Sequence, residues 1–232
     1  RHTRLEFVSW ARRCVEETVL ERGRGFILLR GLPVDRYDLE DLTSIYWGLG
    51  TYLGDGIYQN AQGDLVGHVT DHGKIFEGDD PYKYNIRAYT TTVSIPPHTD
   101  SCDLVGLLCV RPAQSGGQSA VVSSTAIYNE FLATRPDLLE PLYEGFYLDL
   151  VGKGTQEKEL THHPIPVFSY FGGKISCRYN KGQIEHGAQK KGDGLTARQQ
   201  EAVDYFRELS MRPELRLEME FRKGDIQILN NR

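Results

Sequence analysis

Two side chains two positions apart give this sequence its clearest chemistry: His98 and Asp100, within Pro96-Pro97-His98-Thr99-Asp100. In an extended segment, residues i and i+2 project to the same side. An imidazole nitrogen and a carboxylate oxygen can therefore reach one metal ion from a single short stretch. Two histidines and a carboxylate on one face of an octahedron are the ligand set that suits non-haem Fe(II) and leaves three positions open. His98 and Asp100 would supply two of those three. The same residues also fit a turn with a solvated aspartate, and a His-x-Asp pair on its own does not decide between the two.

Other polar groups stand close by in the chain. Tyr89, Thr91 and Thr92 lead toward the His-x-Asp segment and are candidates for contact with a substrate. Alternation along a strand would aim Thr92 and Ser94 to one side and Thr91 to the other. His162 and His163 are adjacent, so a strand would point them oppositely, and His72 and His186 have no partner at ligand spacing. Cys14, Cys102, Cys109 and Cys177 show no CxxC pairing, so reduced thiols are expected. A formal charge of −5 over 232 residues argues against a nucleic-acid partner, and no basic run points to a membrane surface. The uninterrupted apolar stretches are too short to span a bilayer. A cytoplasmic protein acting on a small molecule fits these limits, and a homo-oligomer is compatible with them.

The elements that must position these groups follow from periodicity. Thr3 and Glu6 form a capping box ahead of Leu5, Val8, Ala11, Val15 and Val19 at helical spacing. Residues 25–30 read as a short buried strand, and a second helix begins near Asp38. Residues 51–88 are polar, Gly-rich and without period, and such a loop leading into the metal segment is expected to cover the mouth of a site. Strands are expected at 89–95, 104–110, 120–123, 145–151, 165–171, 174–179, 215–221 and 226–229. Gly172-Gly173 would make a hairpin turn between two of them. Helices are expected at 126–134, just after Pro136, and behind the Thr196/Gln199 capping box. The pattern predicts an α+β, mainly β protein: a double-stranded β-helix (jelly-roll, cupin-like) core with flanking helices, in one domain over residues 1–232.

The order of motifs resembles the taurine dioxygenase-like (TauD/TfdA) family of Fe(II)- and 2-oxoglutarate-dependent oxygenases. The resemblance runs from Gly25-Phe-Ile-Leu-Leu-Arg-Gly-Leu-Pro33 through Gln59-Asn60 and Gly63-Asp64-Leu65-Val66-Gly67-His68. It continues through Pro97-His98-Thr99-Asp100, Leu107-Leu108-Cys109-Val110-Arg111-Pro112 and Ser115-Gly116-Gly117-Gln118-Ser119. It closes on Gly224-Asp225-Ile226-Gln227-Ile228-Leu229-Asn230-Asn231.

The resemblance implies that His98 and Asp100 bind Fe(II) and that the Ser119 hydroxyl helps hold the carboxylate of the co-substrate 2-oxoglutarate. A serine can donate the bond that the family takes from threonine or serine at this place. His68 falls in a segment resembling one subgroup and joins Tyr89, Thr91 and Thr92 as a candidate substrate contact. The implied reaction uses O2 to oxidise an unactivated C–H bond of a small organic molecule, with release of succinate and CO2. Hydroxylation is the default; desaturation and oxidative cyclisation draw on the same oxidant. Asp100 itself argues against halogenation, which in related enzymes needs that carboxylate to be missing. The distal metal-binding His and the 2-oxoglutarate-binding Arg of the family are expected beyond Arg232, so the domain is expected to be cut short at its C-terminus. A resident histidine such as His68 or His163 serving as third ligand is the alternative. A non-catalytic or metal-binding jelly-roll relative that has lost turnover is the competing reading of the whole.

Overall fold

The computed structural model describes residues 19–60, 63–73, 88–150 and 159–232. The expected first helix lies outside these residues apart from its last position, and so does much of the stretch expected to cover the site.

Strand β1 (Phe26–Leu29), β2 (Leu104–Leu108) and β7 (Ile226–Asn230) form an antiparallel sheet with β7 in the middle. Phe26 faces Leu229 on one side of β7, and Leu104 faces Asn230 on the other. The middle position explains the composition of β7: Ile226, Gln227 and Ile228 are all buried. Period-2 alternation puts Ile226 and Ile228 on one face, packed with Leu20, and turns Gln227 to the opposite face. Gly106 in β2 leaves room for the Tyr46 hydroxyl from helix α1 (Leu39–Gly50), which sits 2.6 Å from where a Cβ would be.

A second pair, β3 (Ser119–Val122) with β6 (Arg216–Met219), is antiparallel, with Ser119 opposite Met219. The hairpin β4 (Phe168–Phe171) and β5 (Lys174–Cys177) turns on Gly172 and Gly173 at φ +58° and +81°. A two-residue turn with positive φ at both positions matches the twist of its strands, which is why glycines stand there.

The larger core belongs to helices α2 (Ser124–Thr134), α3 (Leu139–Glu144), α4 (Lys181–Lys191) and α5 (Ala197–Met211) against β4 and β5. Phe131, Leu142, Val203 and Leu209 are fully buried, and Phe131 meets Phe168 edge-on at 6.1 Å. The Thr196/Gln199 capping box forms as expected, with reciprocal bonds of 3.3 and 3.0 Å. Thr196→Ala is expected to cost about 1 kcal/mol and to lower the melting temperature by roughly 2–4 °C, read by differential scanning calorimetry. An unchanged melt would show that the box contributes nothing.

Several expectations are corrected. More of the described residues lie in helices than in strands, so "mainly β" does not hold for them, and their sheets do not close into a barrel. The strand expected at 89–95 is instead a 3-10 turn, Ala88–Thr90, followed by bends. The Thr91 hydroxyl donates to Ala88 O (2.8 Å) and accepts from Val93 N (3.3 Å), so local side-chain bonds displace a ladder there. Pro96 and Pro97 have no amide to donate. The strand expected at 145–151 reduces to two isolated bridges, Phe146–Ile165 and Asp149–Leu160, with residue 151 outside the described set. Helix α4 was not anticipated. No helix among the described residues is long and apolar enough to cross a membrane.

Candidate metal centre

The two-proline run delivers the chain to the start of β2 through a turn at residues 98–103, and His98 and Asp100 come together on it. The His98 Nδ1–H donates to Pro96 O at 2.8 Å, which fixes the tautomer and leaves the Nε2 lone pair uncommitted. Nε2 then lies 4.0 Å from Asp100 Oδ1, wider than adjacent ligands of one ion stand, so a side-chain rotation would have to bring the two donors together on a metal. Both side chains retain solvent access, at 30% for His98 and 61% for Asp100. A ligand histidine whose far nitrogen is held by a carbonyl is the arrangement metal sites use to orient the ring and raise its basicity. The donor set and the tautomer therefore fit a divalent transition metal. Among the described residues no third His, Cys, Asp or Glu joins the pair, so neither His68 nor His163 comes to it.

The turn is held from two sides. Thr99, between the two candidate ligands, donates its amide to Tyr179 O (2.7 Å), and its hydroxyl oxygen accepts the Tyr179 amide (2.9 Å). Tyr179 is itself fixed: its ring stacks on Phe206 at 3.8 Å and its hydroxyl donates to Val203 O at 3.0 Å. The neighbouring Arg178 donates to Thr99 O (3.2 Å) and to Ser101 Oγ (2.6 Å). Burial pulls the Arg178 guanidinium below its ordinary pKa, and the Asp100 carboxylate opposes that shift. On the other side Asn231, at the end of β7, bonds to the main chain of Asp100 and Cys102.

Ser119 stands at the start of β3 and donates to Gln227 Oε1 at 3.3 Å, while Gln227 Nε2 reaches Met219 Sδ at 3.0 Å. Gln227 is 1% exposed and links the three-stranded sheet to the β3–β6 pair. The middle strand therefore touches both candidate groups: Gln227 holds Ser119, and Asn231 holds the Asp100 turn.

The remaining candidates do not gather here in the same way. Tyr89 is half-buried in the 3-10 turn, Thr91 spends its hydroxyl on that turn, and Thr92 is exposed. His68 is exposed in loop 63–73, whose His72 amide donates to Thr90 O at 3.0 Å. Cys109 and Cys177 are buried free thiols, and Cys14 lies outside the described residues. Burial pushes Cys177 up to about 12, and burial together with Asp225 raises Cys109, so neither is a nucleophile at neutral pH. Sequence reasoning missed Asn231, Arg178, Tyr179 and Gln227 as site residues. Asn231 and Gln227 belong to the closing motif Gly224–Asn231, which offered the one signal that could have pointed to them.

Comparison with known proteins bears on this geometry. Residues 11–232 match the taurine catabolism dioxygenase TauD, TfdA family. The chain is 33% identical over 219 residues to FR-33289 synthase of Streptomyces rubellomurinus, covering 94% of this chain and 62% of that protein. It is also 33% identical over 214 residues to taurine hydroxylase-like protein SAT17 of Stachybotrys chartarum, covering 89% and 54%. The chain thus spans less than two thirds of the length of either relative. Among solved structures, an asparagine oxygenase in complex with Fe(II), 2S,3S-3-hydroxyasparagine and succinate superposes with a TM-score of 0.68. That likeness is one of fold, at 16% identity over 100% of this chain and 72% of that one. Non-heme iron oxygenase OrfP in complex with Fe and alpha-ketoglutaric acid gives a TM-score of 0.56 at 13% identity, covering 97% of this chain and 71% of that one.

Proposed function

The chain belongs to the taurine catabolism dioxygenase TauD, TfdA family, and we propose on that premise that it serves an Fe(II)- and 2-oxoglutarate-dependent oxygenase acting on a small organic substrate. One observation carries this reading: His98 and Asp100 stand on a single turn, with Nε2 free and 4.0 Å from the carboxylate. His98 Nε2 and Asp100 Oδ1 would hold the metal. When bound, Fe(II) with 2-oxoglutarate supplies O2 activation coupled to release of succinate and CO2, and with it the power to oxidise an unactivated C–H bond.

The protein's own share is placement. Pro96 O keeps the His98 ring in the ligating tautomer, and the ties of Thr99 to Tyr179 hold the turn against the helical core. Ser119, already oriented by Gln227, would turn its hydroxyl to a carboxylate oxygen of 2-oxoglutarate. Tyr89, Thr92 and His68 are the proposed contacts to substrate; Thr91 is a weaker one, its hydroxyl being engaged. The β1–β7–β2 sheet and the β3–β6 pair, linked through Gln227, are in this reading two sides of a jelly-roll core. Hydroxylation is the proposed outcome.

The test is succinate formation from 2-oxoglutarate with Fe(II) and O2, with and without candidate substrates, by mass spectrometry. Ser119→Ala is expected to raise the KM for 2-oxoglutarate by roughly 10- to 100-fold, since a hydrogen bond to a charged group contributes roughly 1.5–3 kcal/mol. Absence of any succinate from metal-loaded protein, with or without substrate, would favour the non-catalytic relative. An unchanged KM in Ser119→Ala would remove Ser119 from the site.

A further inference from the structure

We propose that Asn231 is the positioning residue that sets Asp100 for metal binding before any metal arrives. The proposal rests on His98 and Asp100 being the metal ligands. The Asp100 amide donates to Asn231 Oδ1 at 3.1 Å, and Asn231 Nδ2 donates to Asp100 O at 2.8 Å and to Cys102 O at 2.6 Å. One primary amide thus pairs with both main-chain groups of the candidate ligand, as a neighbouring strand would. Only one orientation of the amide allows this, because the Asp100 N–H must find an acceptor and the two carbonyls must find donors.

The anchor is firm. Asn231 is 7% exposed, and its own amide donates to Asp103 O at 2.9 Å. The preceding residue, Asn230, donates its amide to Gly25 O at 2.7 Å, on the far side of the middle strand. From the opposite direction Thr99 is paired with Tyr179. The turn that holds Asp100 is otherwise solvent-facing, with Ser101 and Asp103 exposed. Ordering a residue's backbone costs conformational entropy. Where Asn231 has already fixed the Asp100 main chain, metal binding does not bear that cost, and the carboxylate leaves a rigid base.

Asn230 provides a matched control. It is also an asparagine at the end of β7, and its side chain bonds elsewhere, donating to Leu20 O at 3.1 Å and accepting from Arg232 N at 3.0 Å. The experiment is anaerobic titration of the full-length protein with Fe(II) or Co(II), followed by calorimetry and by the visible absorption of bound Co(II). Wild-type, Asn231→Ala, Asn230→Ala and His98→Ala proteins are compared, with their folding checked by circular dichroism. Asn231→Ala is expected to weaken metal binding tenfold or more, the range found when a partner supporting a ligand is lost. Asn230→Ala should stay within twofold of wild type. A second measurement needs no variant: in metal-free wild-type protein, the Asp100 amide should be protected from hydrogen exchange. Free exchange at that amide, or equal affinity losses in Asn231→Ala and Asn230→Ala, overturns the positioning role. So does wild-type affinity in Asn231→Ala when His98→Ala has lost the metal. Wild-type affinity in His98→Ala would instead overturn the metal site itself, and the inference with it.

Discussion

His98→Ala and Asp100→Ala proteins are expected to keep their fold and to lose metal-dependent turnover. Either change removes one of two donors that a single turn brings within 4.0 Å of each other. The loss should exceed the roughly 10–100-fold that removing a supporting partner costs in metal affinity or activity, because a ligand itself is gone. Stability should barely move. Both side chains are partly exposed, and surface substitutions away from special features stay within about 0.5 kcal/mol. The Pro96 carbonyl left by His98→Ala can turn to water, whereas the ties of Thr99 and Asn231 run through main chain that alanine preserves. Metal content after anaerobic loading, succinate yield and a thermal melt together check this. An Asp100→Ala protein that retains Fe(II) and full succinate yield would remove the pair as the metal site. A large fall in melting temperature would mean the two residues hold the fold instead.

What the sequence disclosed depended on how local the cause was. The Thr196/Gln199 box, the Gly172-Gly173 turn and the same-side spacing of His98 and Asp100 each act within a few residues, so each was legible. Residues 89–95 misled because their β-branched, aromatic composition reads as strand, while Thr91 closes a local turn with its hydroxyl. Helix α4 gave no apolar period in Lys-Gly-Gln-Ile-Glu-His-Gly-Ala-Gln-Lys-Lys. It forms because Asn180 caps Gln183 N at 3.1 Å, Ile184 is fully buried, and Gly192 ends it in the left-handed conformation. Gly187 is needed because a Cβ there would strike the carbonyl of Tyr147. The contacts that hold the turn of His98 and Asp100 were invisible for a different reason. Asn231 meets Asp100 across 131 residues, and Gln227 meets Ser119 across 108, with no periodicity to announce either.

The largest loss of stability from a single added methyl group is expected at Gly224, where Gly224→Ala should destabilise the protein by about 3 kcal/mol or more. Two independent penalties meet there. Gly224 has φ +81°, where an L side chain costs roughly 1–2 kcal/mol. A Cβ would also collide with the carbonyl of Leu32, a backbone atom that cannot swing aside as a flexible side chain can. Forcing the two segments apart adds about 1–3 kcal/mol. That movement strains bonds on both sides: Leu32 N to Gly224 O at 3.1 Å and Gly224 N to Cys109 O at 2.8 Å. The next residue, Asp225, is buried and accepts from Arg30 Nη1 at 3.0 Å and Arg222 N at 2.8 Å, so the turn has little room to relax. At roughly 2–4 °C per kcal/mol, the melting temperature should fall by about 6–12 °C. Gly172→Ala separates the two penalties. Gly172 shares the positive φ, at +58°, and nothing lies within 4 Å of its Cβ position. It should therefore show the backbone penalty alone, about 1 kcal/mol. Because Gly224 makes the turn into β7, and Asn231 directly follows that strand, Gly224→Ala should also weaken metal binding, and Gly172→Ala should not. Equal melting temperatures for the two variants would show that the contact with Leu32 carries no energy, and the link from this turn to the candidate metal centre would fall with it.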